Sequence, residues 1–135
     1  MWASAVVDAG GVVHVAYQDA QGDQVYYLTW TPGSPAGAPE LVDDGVRAGD
    51  RPHPVGAGAT IWLASGEPVI AYQDGISSDL VLARKSGGAW SHSDHATGAL
   101  LDGFHIAAPA QGGVLIWDQL DKLRSPPHGL AISRP

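Results

Sequence analysis

The seventeen residues ASAVVDAGGVVHVAYQD, Ala3 to Asp19, lie without a gap over GATIWLASGEPVIAYQD, Gly58 to Asp74. Gly11 falls on Gly66, Val15 on Ile70 and Tyr17 on Tyr72, an offset of 55 residues, and QVYYLT (24–29) then falls on DLVLAR (79–84) at the same offset. A third copy is more degenerate. HIAAPAQGGVLIWDQ (105–119) matches the second copy at an offset of 45, with Trp117 on Tyr72. After a loop about five residues longer, GLAISR (129–134) falls on DLVLAR, placing Leu130 on Leu80. A chain that repeats itself every ~50 residues must build like units side by side, because a single such unit cannot cover its own apolar faces.

Each unit runs in the same order. An apolar strand meets a tight turn (DAGG, ASGE or AQGG), a β-branched strand follows, then a polar turn and another strand. Gly and Asp stand where positive φ is needed, so the turns predict antiparallel hairpins. In the first two units APELVDD (38–44) and AWSHSDH (89–95) read as a fourth strand. The 18 glycines and 10 prolines, scattered in small clusters, leave little room for long helices. With 44% hydrophobic and 16% charged residues the chain has the composition of a packed globular protein, and the fold class is all-β.

The pattern of an apolar strand, a small-residue turn, IAYQD, a polar turn and DLVLARKSGGAW resembles the blade repeat of bacterial β-propeller proteins. The resemblance covers nearly the whole chain and implies a partial propeller of about 2.75 four-stranded antiparallel blades. Blade 1 spans about residues 2–45, blade 2 about 55–96 and blade 3 about 104–135, the last without an outer strand. Propellers close with about four to eight blades, so such a chain would not close alone. It is similar to the C-terminal part of a larger propeller, to be completed by another protein chain or by copies of itself. Left uncovered, its end strand and end face would expose backbone donors and apolar surface.

Within this scheme Val15, Tyr17, Ile70 and Tyr72 are expected to fill the core between sheets. Asp19 and Asp74, at the strand ends, are expected to cap the turns that follow by accepting backbone N–H bonds. Tyr17, Asp19, Tyr72, Asp74 and Trp117 are thus structural marks of the repeat.

The net charge of −7 disfavours a phosphate-neutralising surface, and nucleic acid is not an expected partner. Twelve of the fourteen acids are Asp, so much of the charge is turn chemistry. Absence of cysteine excludes disulfides, thiolate metal sites and cysteine nucleophiles. No apolar run approaches the ~20 residues of a membrane helix, and the start MWASAVVDAGG has neither a basic nor a long apolar segment. The expectation is a soluble chain without membrane insertion, compatible with a secreted or envelope-associated larger protein.

Candidate chemistry is sparse. HSDH sets His92, Asp94 and His95 together, but on a regular strand His92 and Asp94 share a face while His95 points away, which makes them weak metal candidates. The propeller glycosidases would require an arginine cluster and a Tyr–Glu pair, and their S-x-D-x-G-x-T-W box is absent. Neither a phosphate-cradling nor a dinucleotide fingerprint appears, so no cofactor is expected. Trp30 and Trp90 are candidate platforms for stacking sugar rings. The fourth-to-first strand loops, DDGVRAGDRPHP (43–54) and HATGALLDGFH (95–105), supply the remaining candidate contacts: Asp50, Arg51, His53, Asp102 and His105. The leading expectation is a non-enzymatic interaction or ligand-binding module, with a glycan-binding oligomeric propeller and a subunit of a split propeller enzyme such as a glycosidase as alternatives.

Overall fold

The computed structural model describes residues 2–19, 21–98, 106–107, 115–120 and 128–134. Three antiparallel sheets lie in sequence order. The first holds β1 (Ala3–Val7), β2 (Val13–Asp19), β3 (Gln24–Trp30) and β4 (Glu40–Asp43), each beside its chain neighbour. The second repeats this arrangement with β5 (Val55–Ala64), β6 (Glu67–Asp74), β7 (Leu80–Ser86) and β8 (Ala89–Ala96). The third contains β9 (Ile106–Ala107), β10 (Leu115–Leu120) and β11 (His128–Ser133), in the order β11-β10-β9. The architecture is all-β with four-stranded antiparallel sheets. Among the described residues no helix is long and apolar enough to cross a membrane.

The 55-residue offset holds exactly through the central strand pair of each sheet. Tyr17 stands opposite Tyr26 and Tyr72 opposite Val81; Val15 stands opposite Leu28 and Ile70 opposite Ala83. Before Gly11 and Gly66 the gapless alignment is out by one residue. The β1–β2 connection is five residues, closed by Asp8, whose carboxylate accepts the N–H groups of Gly10 and Val12, and by Gly11 at φ 83°. The β5–β6 connection is Ser65–Gly66 alone, at φ 53° and 86°, the two-residue turn with both centres left-handed. Val6 therefore corresponds to Trp62, not to Ile61. The slip matters because one residue exchanges the two faces of a strand. With the corrected register, Val6 and Trp62 both look toward the sheet that follows.

The second sheet is covered on both sides. Against the first sheet, Ile61, Ile70, Tyr72, Val81 and Ala83 pack on Ala16, Val25, Tyr27 and Val42. Against the third, Trp62, Val69, Ala71, Leu80 and Leu82 pack on Leu115 and Trp117. This is why β6 is buried almost throughout while β2 alternates. A side chain such as Ile70 or Tyr72, fully removed from water, contributes about 1.5–3 kcal/mol.

One expectation is corrected here. Val15 and Tyr17 do not enter a core between sheets. They keep the orientation of Ile70 and Tyr72, but on the first sheet that orientation faces away from the second, so both stay partly exposed, with Tyr17 stacked on Tyr26 at 5.7 Å. The fourth strands also differ slightly from expectation. β4 spans only Glu40–Asp43, with a register shift against β3 at Val25/Tyr26, and β8 runs one residue further, to Ala96.

Candidate functional site

A cluster of charged groups lies where the loop after β4 crosses onto the second sheet. β4 ends on Asp43, whose side chain is 1% exposed. Its Oδ1 accepts the Gly45 N–H at 2.8 Å and Arg47 Nη1–H at 3.0 Å; its Oδ2 accepts Arg47 Nη2–H at 2.9 Å and the Tyr72 hydroxyl at 2.7 Å. The fork-to-carboxylate geometry is the strong form of this pair. Arg47 Nη2 also lies 3.3 Å from Asp74 Oδ2. Asp74, at the end of β6, accepts His53 Nδ1–H at 2.6 Å on Oδ2, and the N–H groups of Ile76 and Ser77 on Oδ1. His53 Nε2 stands 3.2 Å from Asp50 Oδ2.

The loop reaches this position through its backbone. His53 N–H donates to Gly45 O at 2.9 Å, Gly75 N–H to Pro54 O at 2.8 Å, and Val55 N–H to Asp23 O at 2.8 Å. Gly45 sits at φ 74°, and a Cβ there would stand 2.0 Å from the His53 carbonyl oxygen. Only glycine fits that turn and that approach.

Electrostatics follow from burial and pairing. Burial alone would raise the Asp43 pKa, but the hydrogen bonds from Arg47, Tyr72 and Gly45 outweigh it and hold the carboxyl below 3.8. Asp74 behaves likewise: His53 and two backbone N–H groups overcome burial. Burial first, and the Asp43 charge second, push the Tyr72 hydroxyl well above its usual range. Hydrogen bonding to Asp74 lifts His53 above 6.5, so the imidazolium with both N–H groups donating is the favoured form at mildly acidic pH.

These directions predict the pH dependence of stability. A histidine raised on folding contributes fully below its unfolded pKa near 6.5, and that contribution is lost as pH rises through the higher folded value. Lowered carboxyls contribute above about 3.8 and lose their contribution as pH falls through their folded values. The Tm is expected to decline from about pH 6 to about pH 8, and His53→Gln to flatten that decline. Equal slopes for wild type and variant in thermal melts across that range would remove His53 from the account.

The arrangement acts as a clamp. Every carboxylate oxygen of Asp43 and Asp74 is engaged, the guanidinium bridges both acids, and the tyrosine and histidine donate into the same cluster. Its chemical capacity is to tie the loop after β4, the end of β6 and the core tyrosine of the second sheet into one unit. Beside it lies an open groove of about 310 Å³, lined by Val46, Arg47, Ala48, Val81, His92, Ser93 and Asp94.

Of the residues expected at a working surface, Asp50 and His53 belong to this cluster. Arg51 is exposed nearby, with its backbone N–H on Asp50 and its charge acting on the same carboxylate. Asp102 and His105 lie outside the described residues. Trp30 is 41% exposed, with its indole N–H on Ser34 O. Trp90 is half-buried, edge-on to Tyr27 at 5.4 Å, with the Lys85 ammonium over both rings. The metal candidates separate: His92 Nε2–H donates to Val42 O of the first sheet, while His95 pairs with Ser133 and meets the Trp117 edge in the third. Asp94 lines the groove. Among the described residues no three His, Asp or Glu side chains converge on a metal-sized site.

Asp19 and Asp74 do cap their turns, Asp19 accepting from Gln21 and Gly22. The sequence reading missed Asp43, Arg47 and the Tyr72 hydroxyl as partners. Their only local signal is a carboxylate ending an apolar strand, with Gly two residues on and Arg four residues on. Comparisons of the chain with protein-family models, with curated proteins and with solved structures gave no match.

Proposed function

We propose that this chain is a non-enzymatic segment of a β-propeller, working as an interaction or scaffold module inside a larger assembled ring. The observation that carries the reading is the contrast between the middle sheet and its neighbours. The second sheet buries apolar residues on both faces, whereas the first and third each bury one face and leave aliphatic and aromatic side chains on the other. Val7 is 59% exposed on the free face of the first sheet, and Leu130 and Ile132 are 66% and 63% exposed on that of the third. Apolar faces of this kind mark surfaces that meet another protein. The charged cluster fits the same reading, since it fastens one sheet to the next and leaves its acids fully engaged.

The test is the state of the purified chain. The reading expects either a particle heavier than 14.0 kDa in sedimentation, or a 14.0 kDa monomer that binds an apolar dye under native conditions. A compact monomer with one cooperative melt and no dye binding would overturn it.

A further inference from the structure

Every interface inside this chain joins two unlike faces. On the first sheet, Ala16, Val25 and Tyr27 face forward onto the second. Their counterparts one repeat on, Ala71, Leu80 and Leu82, face forward onto the third. In the other direction, Ile70, Tyr72 and Val81 face back onto the first sheet, and their counterparts Leu115, Trp117 and Ala131 face back onto the second. Forward meets back at both junctions.

The two faces left over are one of each kind. The free face of the third sheet carries Ile116, Leu130 and Ile132, the counterparts of the forward set Ala71, Leu80 and Leu82. The free face of the first carries Val15, Tyr17 and Tyr26, the counterparts of the back set. Their chemistry also matches the junction between the second and third sheets. There, leucines of a forward face cover the aromatic Trp117; here, exposed Leu130 and Ile132 would cover the stacked pair Tyr17 and Tyr26.

We infer that the partner is a second copy of this chain, joined head to tail, with the forward face of the third sheet of one copy packed on the back face of the first sheet of the next. The inference rests on the ring reading above. It continues the packing that already joins the sheets of one copy. A head-to-tail contact of this kind closes into a ring when its rotation allows, and it differs from a two-fold dimer in which like meets like.

The distinction can be read from mass. Wild type is expected to run in light scattering as a multiple of 14.0 kDa. Tyr17→Arg, which spoils only the back face, and Ile132→Arg, which spoils only the forward face, are each expected to run alone as 14.0 kDa monomers. Mixed in equal amounts they keep one good face each, and are expected to form a heterodimer of twice that mass and nothing larger. Leu28→Arg and Leu130→Arg repeat the experiment if either first choice loses its β-sheet circular dichroism. Persistence of a dimer in either variant alone, or failure of the mixture to pair while wild type assembles, overturns the head-to-tail contact. A wild-type monomer that binds apolar dye also overturns it, while leaving the ring reading in place with a different partner.

Discussion

Asp43→Ala is expected to destabilise the chain by about 3–5 kcal/mol, the range for removing one partner of a buried, hydrogen-bonded ion pair. The carboxylate is the meeting point of four donors, and alanine leaves the Tyr72 hydroxyl without its acceptor in a fully buried position. Arg47 keeps its 3.3 Å approach to Asp74 and an exposed bond to the Val46 carbonyl, and the Gly45 turn loses its cap. The neighbouring Asp44→Ala is the control. Asp44 is exposed and accepts only the Val46 N–H, so its loss is expected to stay within about 1 kcal/mol. Adding Arg47→Met to Asp43→Ala should recover part of the loss, since removing both partners costs less than orphaning one. Urea unfolding of wild type, Asp43→Ala, Arg47→Met and the double variant gives the cycle. Additive single effects, or a loss below about 1 kcal/mol for Asp43→Ala, would sink the clamp as an energetic unit.

The second large effect is expected at Trp62. Its side chain is 1% exposed between the second and third sheets, among Val69, Leu115 and Trp117, and truncation to alanine opens a cavity the sheets cannot collapse around. A loss of about 3–5 kcal/mol follows. Trp30, the same residue type at the rim of the first sheet, is 41% exposed, and Trp30→Ala is expected to cost about 1 kcal/mol or less. Denaturant midpoints compare the two directly. Similar losses at both positions would mean that burial between the sheets is not what sets the energetics. Against a total stability of about 5–15 kcal/mol, either large effect leaves a chain close to unfolding.

Much of the fold was legible because sheet structure writes itself into sequence at short range. Alternating apolar residues, Gly at left-handed turn positions and a recurring AYQD predicted the hairpins and the order of strands in the first two sheets. A register slip came at the first hairpin. A five-residue turn capped by Asp8 and a two-residue turn at Ser65–Gly66 occupy aligned stretches of similar composition. Loop geometry, which sets register, is decided there by side-chain hydrogen bonds that an alignment does not weigh.

The candidate site was legible only in part. Asp50 and His53 stood out as polar residues in a loop between units, yet their partners come from the ends of β4 and β6, brought together only by the stacking of two sheets. The Tyr72 hydroxyl shows this most plainly: the repeat identifies it as a core residue, and the packing alone reveals that its oxygen reaches Asp43. The hydroxyl itself does not recur. At the next junction Trp117 takes the tyrosine's place, and its buried indole N–H has no acceptor among the described residues.

By itself, then, the sequence determined an all-β chain of antiparallel sheets, with strands and turn caps in the first two sheets close to where they are observed. Those features depend on residues within a few positions or one hairpin of each other. Which faces are buried and which stay free was decided only in three dimensions. Tyr17 and Tyr72 carry the same local signal and point the same way from their sheets; Tyr72 is fully buried because another sheet lies in front of it, and Tyr17 is not. Burial is a property of the neighbour as much as of the residue, and no periodicity within one strand states whether the neighbour is there.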